Sequence, residues 1–184
     1  MHGNETPSEW VRRWSHLIPH GSTVLDVACG AGRHLRYLYG LGYEMVGVDQ
    51  STEALAASTG LGELVCADLE NEPWPFAGRL FGGIVVTNYL WRPLLPTLAN
   101  SLAPGGMLIY ETFARGNETV GRPARPDFLL SPGELLHACT GLQVVAYEAG
   151  FLSRPDRFVQ RIAAVQGAVG SIEPARHPLS QPAS

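Results

Sequence analysis

The stretch Val24–Leu35, VLDVACGAGRHL, decides how the rest of the chain is read. Residues of buried-strand character run into a Gly-x-Gly turn, and a helix-like pattern begins at once. Such a turn directs unpaired backbone N–H groups and the positive end of a helix past the carboxyl edge of a sheet. Ligands of open α/β folds bind at that edge. The question raised by the stretch is therefore which ligand its turn is shaped to hold.

Outward from the turn, two kinds of segment alternate. TVLDVA, EMVGVD, ELVCAD, GIVVTN and GMLIYETF are short and rich in Val, Leu and Ile, while RHLRYLYGL, STEALAAS and PLLPTLANSL between them carry helical spacing. Alternation of this kind predicts a doubly wound α/β fold, a parallel sheet with helices on both faces. Before the first strand, SEWVRRWSHLI puts Trp10, Val11, Trp14, Leu17 and Ile18 on one helical face with Ser8 as N-cap, and this N-terminal helix falls within residues 1–20. After the fifth strand, residues 114–130 (ARGNETVGRPARPDFLL) are rich in Gly, Pro and Arg without periodicity, the composition of a lid. SPGELLHAC restarts a helix with Ser131 as cap, Pro132 first and Glu134 as capping-box partner, and LQVVAYEA and RFVQRIAAV close the sheet. One domain over residues 1–166 results. Residues 167–184, with Pro, Ser and Ala but no period, read as a disordered tail.

Composition removes several function classes. The chain has 184 residues, a net charge of −4 and no apolar run long enough to span a bilayer, so small molecules are expected as partners rather than nucleic acid or membrane. All 13 basic residues are arginine. A Walker-type phosphate lysine, a Schiff-base lysine and a lysine general base are thereby excluded. The three cysteines, Cys29, Cys66 and Cys139, form no CxxC pair, no metal-ligand cluster is visible, and the first residues lack a secretory pattern; a cytoplasmic protein is expected.

The turn itself disfavours a dinucleotide. With Gly30 and Gly32 in register, the third fingerprint position is Leu35, whose side chain obstructs close helix–strand packing, and Asp26 would repel a pyrophosphate. Asp26 suits either of two roles, orienting the loop backbone or receiving an ammonium group across a water. Arg33, a cation in the first turn of a helix, opposes the dipole and suits a carboxylate partner, although a surface ion pair explains it equally well.

LDVACGAG resembles the first motif of class I S-adenosylmethionine-dependent methyltransferases, and VGVD, CADL and LAPGGMLIY follow in that family's order. The resemblance implies a Rossmann-like, mostly parallel seven-stranded sheet with an antiparallel last strand, and S-adenosylmethionine as cofactor with S-adenosylhomocysteine as product. It implies that Asp49 holds the ribose hydroxyls, that Asp68 and the backbone of Leu69 meet the adenine, and that Gln50 lies along one adenine face; Asp26, Gly30, Gly32, Arg33 and Thr87 complete the expected cofactor set. One departure is Gly82, where the family usually places an acidic residue at the start of the fourth strand. The GAGRH turn, the YLWRP stretch and the ETF strand end are also similar to small bacterial methyltransferases of the tellurite-resistance type, which implies a small acceptor: anionic, a thiol or a chalcogen. Acceptor-side candidates are Glu111 as base, Tyr89 second, and Arg92 and Arg125 as an anion clamp, with structural roles as the alternative for each. Two other functions stay open: a non-catalytic cofactor-binding sensor or assembly protein and, opposed by Leu35 and Asp26, an NAD-binding oxidoreductase.

Overall fold

The structure is a computed structural model and describes residues 6–167 and 176–180. Seven strands form one sheet in the order β3-β2-β1-β4-β5-β7-β6. They are β1 (Thr23–Val27), β2 (Glu44–Asp49), β3 (Glu63–Cys66), β4 (Phe81–Thr87), β5 (Leu102–Phe113), β6 (Gln143–Leu152) and β7 (Arg157–Val165). All pairings among β1–β5 are parallel, and β7 runs antiparallel to both β5 and β6. The order reverses direction at β1, so the switch point opens between the carboxyl ends of β1 and β4.

Strand periodicity assigns each side chain to a layer. Leu25, Val27, Ile84, Val86, Leu108 and Tyr110 pack on one face, under α4 (Leu95–Asn100) and α5 (Glu134–Ala138). Val24, Val85, Met107 and Ile109 pack on the other, where Trp10 and Trp14 of α1 (Glu9–Trp14), Leu35 and Leu38 of α2 (Arg33–Gly40) and Leu55 of α3 (Thr52–Ala56) cover them. The same alternation puts Asp26, Thr87 and Glu111 on the α1–α2 face, one step beyond the apolar layer. Polar groups thus collect at the carboxyl edge because the strands continue past their cores.

Leu35 occupies the third fingerprint position, and the structure shows how it is accommodated. The glycine allowing close approach lies on the neighbouring strand: a Cβ on Gly47 would stand 2.8 Å from Leu35 Cδ1 and 3.0 Å from Cys29 Sγ. Gly82 has a similar explanation, since a Cβ there would come within 2.3 Å of Ser22. A carboxylate cannot fit where the chain entering β1 crosses β4.

Three expectations need adjustment. Helix α5 begins at Glu134 with Gly133 at its N-cap, so Pro132 lies outside the helix; Glu134 still accepts from the Ser131 N–H at 2.8 Å, half of the expected box. Residues 114–130 are not structureless: a bridge pairs Ala114 with Leu130, and short 3₁₀ turns form at Asn117–Thr119 and Pro126–Phe128. The expected tail lies largely outside the described residues; within it, the Pro178 carbonyl is 3.0 Å from His16 Nε2.

Candidate functional site

The turn after β1 is held open by backbone geometry and by one carboxylate. Ala28, Gly30 and Gly32 all have positive φ, and a Cβ on Gly32 would stand 1.9 Å from Ser58 Oγ, so only glycine fits there. The carboxylate that orients the loop is Asp49, not Asp26: Asp49 Oδ2 accepts from the Gly30 N–H at 2.8 Å and Oδ1 from the Ser51 N–H at 2.9 Å. Each oxygen keeps a second lone pair, which is the arrangement needed to accept from two adjacent hydroxyls.

On one side of Ala28 lies a pocket of about 90 Å³, lined by Asp49, Gln50, Asp68, Leu69, Glu70 and Tyr89. Asp68 folds back on its own loop, with Oδ1 accepting from the Glu70 and Asn71 N–H groups and Oδ2 from the Asn71 amide at 2.8 Å. The Asn71 amide, ahead of these backbone bonds, holds the Asp68 carboxyl below its ordinary value. One Oδ2 lone pair remains for an amino group. Tyr89 Oη is buried in this wall with no protein partner, and burial, then Glu70, Asp68 and Asp49, push its pKa upward. A phenol so perturbed is a donor and a poor base.

On the other side of Ala28, a second pocket of about 220 Å³ is lined by Gly30, Arg33, His34, Thr87 and Asn88. Arg33 donates to Thr87 Oγ1 at 3.3 Å, bridging α2 and β4. Below this region Asp26 is fully buried, its Oδ2 without a partner. Burial raises its pKa to about 8 against the opposing pull of Arg33. Beside it, His34 is buried with Nδ1 3.9 Å from Asp26 Oδ1, and Nε2 accepts from the Ser8 N–H at 3.1 Å. The acceptor role of Nε2 puts the proton of the neutral ring on Nδ1, facing the carboxyl. Burial first, then Arg33, lowers the His34 pKa to about 3.

Ser8 joins this corner to β5. Its hydroxyl donates to Glu111 Oε1 at 3.1 Å while accepting from the Trp10 N–H, and Glu111 Oε2 meets Arg161 at 3.3 Å. Arg161 lies over the Trp10 ring at 4.8 Å and pairs with Glu148. Glu111 is thus set in a buried network that seats α1. Beyond it opens a cavity of about 680 Å³, bounded by Ser8, Arg33, Asn88, Glu111, Arg122 and Arg154 among others.

The structure brings Gly30, Arg33, Asp49, Gln50, Asp68, Leu69, Tyr89 and Thr87 around adjoining pockets, with Asp26 buried beneath them, and puts Glu111 at the far end. It does not bring Arg92 and Arg125 there. Arg92 makes bonds of 2.6 and 3.1 Å with Glu134 and donates to the Asp127 and Leu129 carbonyls, stapling the long loop to α5. Arg125 is exposed, pairs with Asp127 at 2.8 Å and covers the Phe128 ring. Cys29 is buried and its thiol is pushed up by burial and by Asp26 and Asp49, which removes it as a nucleophile. Sequence reasoning finds Ser8 only as a cap and misses His34 and Arg161. Their signal is the period-2 position of Asp26 and Glu111 facing α1 and α2, legible once the layers are known.

The strand order, with β7 antiparallel, is that of the Rossmann-like methyltransferase fold. Residues 24–106, a little under half of the chain, match the family described as Methyltransferase domain, a match that implies S-adenosylmethionine as cofactor. A tRNA U34 carboxymethyltransferase of Klebsiella pneumoniae is 28% identical over an alignment 130 positions long, and the match covers 59% of this chain and 37% of that protein. The chain spans about two fifths of that relative's length. Among solved structures, TehB from Haemophilus influenzae superposes with a TM-score of 0.68 at 19% identity, covering 83% of this chain and 60% of that one. A TehB-like S-adenosylmethionine-dependent methyltransferase from Corynebacterium glutamicum gives 0.61 at 19% identity, covering 85% and 86%. These likenesses establish the fold. No helix among the described residues is long and apolar enough to cross a membrane.

Proposed function

We propose that the protein transfers a methyl group from S-adenosylmethionine to a small acceptor held in the cavity beyond Asn88 and Glu111. The observation that carries this reading is the pairing of an unpartnered, buried Asp26 oxygen with the Asp49 carboxylate across one glycine turn. Donors at both ends of an aminoacyl-adenosyl ligand fit them: an ammonium for Asp26, a ribose diol for Asp49. When bound, the cofactor supplies a sulfonium methyl, an electrophile that needs only an aligned nucleophile. The chain's residues therefore bind, align and exclude water, work worth roughly 7–11 kcal/mol of barrier when geometry is well fixed.

In this reading Arg33 and Thr87 receive the carboxylate end, Asp68 and Leu69 the adenine, and Asn88 marks the passage between cofactor and acceptor. Glu111 is a positioning residue. With one oxygen on Ser8 and the other on Arg161, it fixes α1 as a wall of the acceptor cavity. A polynucleotide is a second reading, favoured by the name of the curated relatives; the net charge of −4 and the presence of Glu9 and Asp156 on the cavity wall weigh against it. The test is methyl transfer from labelled cofactor, read as homocysteine release, across thiols, carboxylates, chalcogen oxyanions and tRNA. Turnover with a small acceptor supports the proposal. Turnover with tRNA alone reverses the choice, and cofactor binding without turnover on any of them points to a sensor.

A further inference from the structure

The acceptor space has two chemically different lobes. One is a pocket of about 250 Å³ lined by Tyr89, Leu90, Phe113, Pro123 and Phe128, with Glu70 at its adenosine side. The other is the larger cavity, lined by Arg122 of the long loop, Arg154 of the β6–β7 turn and Arg157 at the start of β7. Asn88 and Phe113 line both, so the lobes join where the cleft for the cofactor opens. Among the described residues no carboxylate pairs with Arg122 or Arg154, whereas Arg92, Arg125 and Arg161 are all committed to ion pairs. Asn117 ties the apolar lobe to β7: its amide donates to the Pro123 carbonyl at 2.9 Å and its oxygen accepts from the Phe158 N–H at 3.2 Å.

From this we infer that the acceptor is a small organic acid, with an apolar body of about ring size among Tyr89, Phe113 and Phe128 and its anionic group toward Arg122 and Arg154. The inference rests on the methyl-transfer reading and deepens it. The orientation follows from charge: the larger lobe sets Arg33, Arg122, Arg154 and Arg157 against Glu9, Asp156 and a Glu111 already held by Ser8 and Arg161, an excess of positive charge too local for a polynucleotide but enough for one small anion, while Glu70 repels an anion at the apolar end. An inorganic oxyanion would satisfy the arginines and leave the aromatic lobe unused. A polyphosphate backbone would leave it unused as well.

The test uses the full chain saturated with S-adenosylhomocysteine and titrated with phenylacetate as probe, beside acetate, benzyl alcohol, selenite and a single-stranded RNA oligonucleotide. Phenylacetate should bind roughly tenfold or more tighter than each of the others, the effect of burying one apolar body or satisfying one charged group. Arg154→Gly keeps the turn, because Arg154 has a φ of 60° that glycine adopts without strain. It should weaken phenylacetate about tenfold and leave benzyl alcohol unchanged. Phe128→Ala, at a partly exposed position, should weaken both. The affinity for S-adenosylhomocysteine should stay within about twofold in either variant, since neither side chain lines the pockets beside Ala28. Acetate, selenite or RNA binding as tightly as phenylacetate overturns the inference alone. Failure of S-adenosylhomocysteine to bind overturns the methyl-transfer reading and this inference with it.

Discussion

Replacing Asp26 by Asn should stabilise the free protein and cripple cofactor binding, two effects of opposite sign from one buried carboxyl. The ordinary value of 3.8 rises to about 8 in the fold, with burial as the largest cause. The folded state therefore holds a proton that the unfolded state loses, and stability falls as pH rises between these two values. The slope is about 1.4 kcal/mol per pH unit, which makes the penalty near pH 7 at most about 4 kcal/mol. Asn carries no such penalty and can still accept the Leu35 N–H bond, but its amide needs a partner where Oδ2 has none, which returns roughly 1–3 kcal/mol. His34 adds a pH dependence of opposite direction, lost below its ordinary 6.5, and the comparison of variant with wild type cancels it. Urea midpoints from pH 4.5 to 8.5 should show the two proteins near parity, or the variant slightly weaker, at the acid end, and the variant ahead by a growing margin above it. Calorimetry in buffers of different ionisation enthalpy should show the wild type releasing close to one proton on binding S-adenosylhomocysteine at pH 7, because the ammonium favours the ionised carboxyl. A margin that stays flat with pH, or a variant equally weak throughout, would refute the buried protonated Asp26.

Gly47→Ala places a methyl group against Leu35 and Cys29 and should cost about 1–3 kcal/mol in denaturant unfolding, recovered in part by Leu35→Ala in the same chain. Arg92→Met should leave cofactor and acceptor constants nearly unchanged and instead lower stability by about 1–3 kcal/mol, since it abandons a carboxylate and two carbonyls in the staple of the long loop; a rise in acceptor KM alone would put this residue back in the cavity. In hydrogen exchange, cofactor product and acceptor together should slow residues 118–127, while the bridged ends near Ala114 and Leu130 stay protected with or without ligand. Equal exchange throughout would reduce the loop to a fixed wall.

The alternating pattern made the sheet and its switch point legible because each strand carries a core layer, and the glycine turn was legible because it depends on local chain chemistry, whereas Asp49 and Asp68 stood out only through the resemblance of their strand ends to a known family. The acceptor side was not. Arg92 and Arg125 attract attention as cations near the right strand ends, but their neighbours Glu134 and Asp127 claim them, and such pairings across 42 or two residues leave no periodic trace. Ser8, His34, Glu111 and Arg161 come from four elements and meet only through the layering. Leu35 was read as an obstacle to close packing at the helix; the relief at Gly47 belongs to a different strand and no local motif records it.

The most direct test of the central claim is calorimetric titration of the wild type and Asp49→Ala with S-adenosylhomocysteine, with NADH as the competing ligand class. The account predicts saturable one-site binding by the wild type, a loss of roughly 1.5–3 kcal/mol in the variant as the ribose diol loses its charged acceptor, and no heat from NADH. Binding of NADH in place of S-adenosylhomocysteine, or an Asp49→Ala variant that binds the latter as tightly as the wild type, would contradict it.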